Sequence, residues 1–360
     1  MKKKILFVTN HFNYSNGVAT ALRSIILNIN KEKYDIYLLP IYFYDKEFAE
    51  PVSKMITVLK GYGFYFRGFD KLIKFVSGKR IYKKFIKDTF DLEVSFQFGV
   101  PTRCIASSKN EHKICWMHTY DSKMKMKRYY LKYPKIITVS RVGTEKLINE
   151  GFSKDQCDFC YNIIDEDYIN KMAIEKIQDA NARGLIVVTV ARMDPDKAYL
   201  RYVECINKIK DRINKNITFW LIGDGLDYAD VLSYVKENNL DSVVKVLGRR
   251  NNPYAYMNKA DLYFCGSLRE GFSTSCQEAA LLGLPVISVE VDGAKELIEK
   301  AGCGCVIPNY ELSICDNLER ILNDDHLISQ WKEIAEENKI RFYKKERILK
   351  IESILDEAIS

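Results

Sequence analysis

Residues 185–192 read Leu185-Ile186-Val187-Val188-Thr189-Val190-Ala191-Arg192. An unbroken run of leucine and β-branched side chains through Val190, followed by alanine and a cation, is a strand covered on both faces. The pattern returns at Ile217–Ile222, Val243–Leu247, Leu262–Cys265 and Pro285–Val291, with longer helical text between. Strands alternating with helices specify a parallel sheet. The first half shows the same alternation. Its strand candidates are Ile5–Thr9, Asp35–Ile41, Leu92–Phe98, Lys113–His118, Ile136–Val139 and Phe159–Ile163, with helices at Val18–Asn30 and Arg141–Glu150. The strand at Leu185 therefore restarts a pattern already used once, and two similar α/β units in series are expected. The polar stretch Asp165–Arg183 reads as a linker region containing a helix. Domains are expected over residues 1–165 and 166–341. Ile340–Ile359 reads as a long amphipathic helix with no strand after it, and its part from about 342 to 360 is expected to pack back on the first domain.

Composition supports two packed cores. Of 360 residues 47% are hydrophobic, and 23 Tyr and 18 Phe argue against disorder. No apolar run is long enough to span a membrane. Met1–Asn10 has a basic start, but its apolar stretch is shorter than that of a secretory leader, so a buried strand and a cytoplasmic protein are expected. Ten cysteines lack a framework spacing and should be reduced thiols. Cys157 with Cys160, and Cys303 with Cys305, lie in strand-like apolar text and read as small buried hydrophobes, so no metal site is expected. Net charge is uneven, +11 over residues 1–180 and −4 over the rest. The basic excess sits in Lys71–Lys87 and Lys123–Lys135, interleaved with aromatic and aliphatic residues. That text suits either a solvated helix face or an anionic membrane surface. No nucleic-acid motif accompanies it.

Candidate chemistry concentrates at the strand ends of the second half. A βα turn presents free N–H groups and a helix dipole to an anion. In the first turn Arg192 and Lys197 bracket Met193-Asp194-Pro195-Asp196. Two such cations can converge on a departing diphosphate without a metal. Taken alone, the pair reads equally well as loop charges tied to Asp194 or Asp196. The second turn, with Gly223 and Gly225 around Asp224, suits a close backbone approach. The most informative stretch runs Leu268-Arg269-Glu270-Gly271-Phe272-Ser273-Thr274-Ser275-Cys276-Gln277-Glu278. Glu270 lies in a loop, Gly271 exposes N–H groups, Ser273 to Ser275 supply helix-capping chemistry, and Glu278 falls one turn into the helix. Two carboxylates aimed at one crevice are acceptors for the vicinal hydroxyls of a sugar and a ribose.

These residues resemble family 4 of the retaining glycosyltransferases. Glu270 and Glu278, followed by Gly283-Leu284-Pro285-Val286-Ile287, resemble the family's E-G-F…E-A…G-x-P-V-I signature. Arg192 and Lys197 resemble its phosphate-binding pair. Gly223-Asp224-Gly225, and Gly248 through Asn252-Pro253-Tyr254, fit its later strand ends, the second near the nucleotide base. Asn16-Gly17-Val18-Ala19 resembles its glycine loop, Trp116-Met117-His118 its sugar-facing histidine, and Asn162…Asp165 the close of its first domain. Single glycines and alanines stand where the family has more glycine, and residues 42–90 match no part of its pattern.

The resemblance implies a GT-B fold, two Rossmann-like doubly wound domains facing a central cleft. It implies transfer of a hexose or N-acetylhexosamine, with retained anomeric configuration, from a nucleotide-sugar donor, UDP by family frequency. The acceptor is a glycan or lipid-linked sugar in surface polysaccharide or glycolipid synthesis. No cofactor or metal is expected. Arg192, Lys197, Glu270 and His118 would act in catalysis. Gly17, Gly223, Arg249, Gly271, Phe272, Ser273, Thr274 and Glu278 would bind the donor.

Other classes have weaker support. A metal-dependent transferase needs Asp-x-Asp at a strand end, and Asp165–Asp167 and Asp194–Asp196 are better read as helix starts. A nicotinamide enzyme needs Gly-x-Gly-x-x-Gly after the first strand, which is absent. A non-catalytic sugar-nucleotide binding module, or a sugar-isomerising or hydrolysing enzyme on the same fold, would keep the same residues.

Overall fold

The computed structural model describes all residues except 1, 14–16, 67, 74, 122 and 178–180, and leaves the side chains of residues 70 and 71 undescribed. The chain divides into two compact units, one of Met1–Ile163 with Lys344–Ser360 and the other of Ile164–Tyr343.

The first unit holds β1 Lys3–Phe12, β2 Tyr34–Tyr44, β3 Ile56–Val58, β4 Leu92–Ser95, β5 Lys113–Met117, β6 Lys135–Thr138 and β7 Cys157–Phe159. Each pairs in parallel with its neighbours, in the order β3-β2-β1-β4-β5-β6-β7. Alternate side chains of β1 serve the two faces. Leu6 and Val8 join a core with Leu39, Ile41, Cys104, Ile136 and Leu147, onto which the helices of residues 69–149 pack. The helix Lys344–Ile359 belongs to this unit. Its buried Ile351, Ile354 and Leu355 supply the packing face. Lys350 pairs with Asp158 at 2.7 Å, and Arg347 donates to the carbonyl of Asn162.

The second unit holds β8 Leu185–Val190, β9 Ile217–Ile222, β10 Val244–Gly248, β11 Leu262–Cys265, β12 Val286–Val289 and β13 Cys305–Ile307. The strands are again parallel, in the order β10-β9-β8-β11-β12-β13. All six residues of β9 are buried because helices cover both faces. On one face Val187, Phe219, Leu221, Ile206 and Leu318 form the core, with the Tyr202 ring stacked 4.2 Å from Phe264. Both sheets are doubly wound and reverse their strand order beside the first strand of each unit. That reversal opens the crevice where such sheets take ligands.

Several boundaries differ from the sequence reading for local reasons. Asp165 accepts from the Tyr168 N–H and caps the helix Glu166–Ala173, which belongs with the second unit. The last helix starts at Lys344 rather than Ile340. Lys339–Phe342 forms a tight 3-10 turn that buries Phe342 in the second unit. The segment expected at Phe159–Ile163 pairs as Cys157–Phe159, and the strands at Leu92, Lys113 and Pro285 end earlier than their apolar runs. β3 and β13, three residues each, carry too little text to be read as strands.

Candidate functional site

The turns after β8 and β11 flank the strand-order reversal of the second unit, and a backbone bond from Leu268 N–H to the Asp196 carbonyl (2.8 Å) ties them together. Lys197 closes the 3-10 turn Pro195–Lys197, and Ala198, in the left-handed region at φ +52°, starts the helix Tyr199–Ile209 one residue later. That turn directs the Lys197 ammonium onto Glu270 Oε1 at 2.6 Å. The same oxygen accepts from the Ser267 hydroxyl at 2.7 Å, and Oε2 has no partner among the described residues. Both side chains are mostly buried, 22% and 13% exposed, so the pair is shielded more than a surface ion pair.

Arg192 takes a different partner. Its guanidinium lies 2.5 Å from Asp194 and its side chain is 68% exposed. The structure therefore does not bring Arg192 and Lys197 onto one partner: each cation is held by its own carboxylate. Asp194 does stand at the start of the 3-10 turn, but its carboxylate makes no capping bond there and serves Arg192 and the Leu226 N–H.

Glu270 leads through Gly271 and the buried Phe272 to the helix Thr274–Leu281. Ser273 is its cap, accepting from the Cys276 N–H, and Thr274 is exposed. Phe272 packs where any side chain on Gly293 would stand, 2.1 Å from that Cβ position. Beneath the loop the Tyr263 hydroxyl joins the Val190 carbonyl (2.9 Å) to Ser275 (2.8 Å), fixing the end of β8 to the start of this helix. Glu278, one turn in, accepts from the Tyr254 hydroxyl at 3.2 Å. Burial pushes its carboxyl up to about 7, against the smaller pull of that hydrogen bond.

Gly223 has a structural reason for its identity that differs from ligand access. At φ +148°, a Cβ there would lie 1.8 Å from the Ala191 carbonyl oxygen. The close approach it permits is that of the chain's own β8 turn. Arg249 is exposed beyond β10. It lines a cavity of about 390 Å³ with Arg250, Asn252, Tyr256 and Glu175.

In the first unit Gly17 begins the helix Gly17–Asn28, with no atom of the described residues within 4 Å of where a Cβ would stand, and Asn16 lies outside the described residues. His118 follows β5 directly, its ring edge-on to Phe96 at 4.6 Å. Its Nε2 is shielded from water with no hydrogen-bond partner among the described residues. Burial pushes its pKa down to about 3, so the imidazole is neutral near pH 7.

Cys157, Cys160 and Cys303 are buried and Cys305 partly so, with burial raising each thiol. No group of three potential metal ligands occurs among the described residues. Sequence reasoning missed Ser267 and Tyr263. Ser267 stands two residues past an apolar strand, a position open to inspection, whereas Tyr263 is inside the strand and reads as core.

Comparison with known proteins agrees with this fold. Two doubly wound Rossmann-like units define the fold of the GT-B glycosyltransferases. A solved structure of Anabaena Alr3699/HepE with UDP-glucose superposes with a TM-score of 0.73, at 18% identity, covering 99% of this chain and 100% of that one. A glycosyltransferase from Rickettsia africae gives 0.74 at 16% identity, covering 100% and 99%. Residues 170–338, nearly the whole of the second unit, match the family described as glycosyl transferases group 1.

Among curated relatives, a Campylobacter jejuni enzyme is 28% identical over 245 residues, which are 66% of this chain and 65% of the relative. Its name is N-acetylgalactosamine-N,N'-diacetylbacillosaminyl-diphospho-undecaprenol 4-alpha-N-acetylgalactosaminyltransferase. The N-acetyl-alpha-D-glucosaminyl L-malate synthase of Bacillus anthracis is 25% identical over 193 residues, 52% of this chain and 50% of the relative. The matches thus span between half and two thirds of these two relatives' length.

Proposed function

We propose that the protein transfers a hexose or N-acetylhexosamine from a UDP-sugar to a glycan or lipid-linked acceptor in surface polysaccharide or glycolipid synthesis, with retained configuration and without a metal. The reading rests on one observation, the mostly buried Lys197–Glu270 pair at the strand-order reversal. An ammonium fixed there stabilises the charge that grows on a departing diphosphate. Glu270 Oε1 orients Lys197, and Oε2 accepts a hydroxyl of the donor sugar. Arg192 supplies a second cation, Glu278 accepts from the ribose, and N–H groups at Gly271–Ser273 complete the anion site. Neutral His118 donates to or accepts from the sugar without competing as a cation. Front-face attack, with the departing phosphate taking the acceptor's proton, accounts for retention. Support for the donor comes from the UDP-glucose complex of the Anabaena structure, and support for the acceptor from the undecaprenol-linked substrate in the Campylobacter relative's name.

The test is transfer to polyprenyl-diphosphate-linked acceptors from a panel of UDP-sugars, with the anomeric configuration of the product read by NMR. Turnover should persist in excess chelator. Loss of turnover in chelator would remove the metal-free mechanism. UDP binding without any transfer or hydrolysis would make the protein a binding module.

Glu278 gives this site a pH dependence of definite sign. Ribose hydroxyls donate hydrogen bonds, so the donor binds the ionised carboxylate. With the carboxyl raised to about 7 before donor binds, affinity should be flat above that pH. Below it the dissociation constant should rise by about tenfold per unit, levelling off where the protonated form binds. Calorimetric titration of UDP across the range checks this, and Glu278→Gln should be weak and nearly pH-independent. An unchanged pH profile in that variant would take Glu278 out of the ribose site.

A further inference from the structure

The two basic stretches of the first unit, separate in sequence, pack in one helical layer. Ile73 and Ile81 of one, with Phe69 just ahead of it, and Met126 and Tyr130 of the other, join the same core over one sheet face. The outer surface of that layer is unusual for a folded unit. Phe64, Phe66, Leu72 and Phe75 are 52%, 51%, 58% and 90% exposed. Single exposed apolar residues are ordinary, but several together, on the order of a few hundred Å², mark an interaction surface.

This surface is built. Phe64 and Phe66 pack on Phe69 with ring centroids 5.0 and 5.1 Å away, and Phe64 continues to Tyr62, which meets Phe85 at 4.8 Å. Arg103 donates to the carbonyls of Ile73 (3.1 Å) and Val76 (3.2 Å), holding the turn on which Phe75 projects. Directly after it, Ser77 caps the helix Gly78–Phe85, whose Lys79, Arg80, Lys83 and Lys84 are exposed while Ile81 is buried. Lys84 also lies 4.3 Å from the Tyr62 ring. Lys74, and the side chain of Lys71, lie outside the described residues. In the second stretch Leu131 is 60% exposed beside exposed Arg128 and Lys132.

We propose that this outer surface, centred on Phe75 and flanked by Lys79, Arg80 and Lys83, docks on an anionic lipid bilayer. Projecting aromatic and leucine side chains enter the interface, and the adjacent cations meet lipid phosphates. Charge decides the occupant. A protein partner or a second copy of this chain would gain from the apolar ridge, whereas four exposed cations beside it match a negative sheet of headgroups. The proposal deepens the lipid-linked acceptor reading, on which it rests, by naming the face that meets the membrane.

The test is cosedimentation with vesicles of equal parts phosphatidylglycerol and phosphatidylcholine, containing neither donor nor acceptor. The wild-type chain should bind at low salt and be released as the Debye length falls from about 10 Å at 0.1 M to about 3 Å at 1 M. Leu72→Ser with Phe75→Ser, both on exposed positions, should weaken binding about tenfold or more with an unchanged melting temperature. Lys79→Glu, Arg80→Glu and Lys83→Glu together should lose about fivefold or more per position, and with it most of the salt dependence. No binding by the wild-type chain, or binding by both variants equal to that of wild type, overturns the proposal. So would a dimer that Phe75→Ser dissociates while vesicle binding is unchanged. Transfer to a water-soluble acceptor analogue should be the same in these variants as in wild type. A transfer failure there counts against the catalytic reading and leaves the vesicle result standing.

Discussion

Lys197→Ala is expected to lower kcat by about 100- to 1,000-fold, the cost of removing one preorganised group from a site of developing charge. The ammonium is mostly buried, fixed 2.6 Å from Glu270, and stands at the strand-order reversal where a diphosphate would lie. Because the pair is formed without ligand, its cost of ordering precedes the reaction and does not recur at the transition state. Lys197→Arg keeps the charge but puts a larger planar group into a turn set by the left-handed Ala198, and should recover only part of the rate. Arg192→Ala is expected to cost less, about tenfold. Its guanidinium is largely in solvent and already neutralised by Asp194, so water replaces much of what it offers. Steady-state kinetics with a saturating donor measure all three. Equal losses at Arg192 and Lys197 would show that the ligand-free pairing does not govern their roles.

The sequence carries the architecture of both units and only part of the site. Strands such as Ile217–Ile222 are legible because both faces are covered, so five of six positions are apolar and the run stands out from its surroundings. Glu270, Ser273 and Glu278 are legible for a similar reason: a loop, a cap and a helix turn impose short-range spacing. The partner of Lys197 lies 73 residues away, and the turn that aims it is a 3-10 turn ended by a left-handed alanine. Neither the distance nor the alanine's φ leaves a mark in a pattern of residue types. The choice of Asp194 by Arg192 is undecided in the sequence too, since Asp194 and Asp196 are both within reach. Gly223 shows the converse. Its glycine is apparent, but its cause is the Ala191 carbonyl on the neighbouring strand end, which only the register of β8 with β9 reveals. The two basic stretches are legible as charge interleaved with apolar residues. That two stretches share one layer follows from strand order, not from spacing along the chain.

Glu270→Ala should lower turnover by about as much as Lys197→Ala, and the double variant should be little worse than either. The argument is that the two side chains act as one group. Glu270 Oε1 takes both Lys197 and Ser267, so removing the carboxylate leaves a mostly buried ammonium without its ion-pair partner. Freed of its fixed partner, Lys197 loses the orientation that made it worth more than a cation in water. Removing Lys197 in turn leaves Glu270 as an uncompensated charge, which would oppose binding of a diphosphate at the proposed site. Residues that work as a unit are strongly non-additive in this way, and a double-mutant cycle on kcat/KM reads the coupling directly. Glu270→Gln separates the two duties of the carboxylate. It retains an acceptor for Lys197 and for a sugar hydroxyl, but removes the charge that fixes the ammonium, so it should fall between wild type and Glu270→Ala. If the two single losses simply multiply in the double variant, Lys197 and Glu270 contribute separately and the pair is no more than a structural link between the turns after β8 and β11.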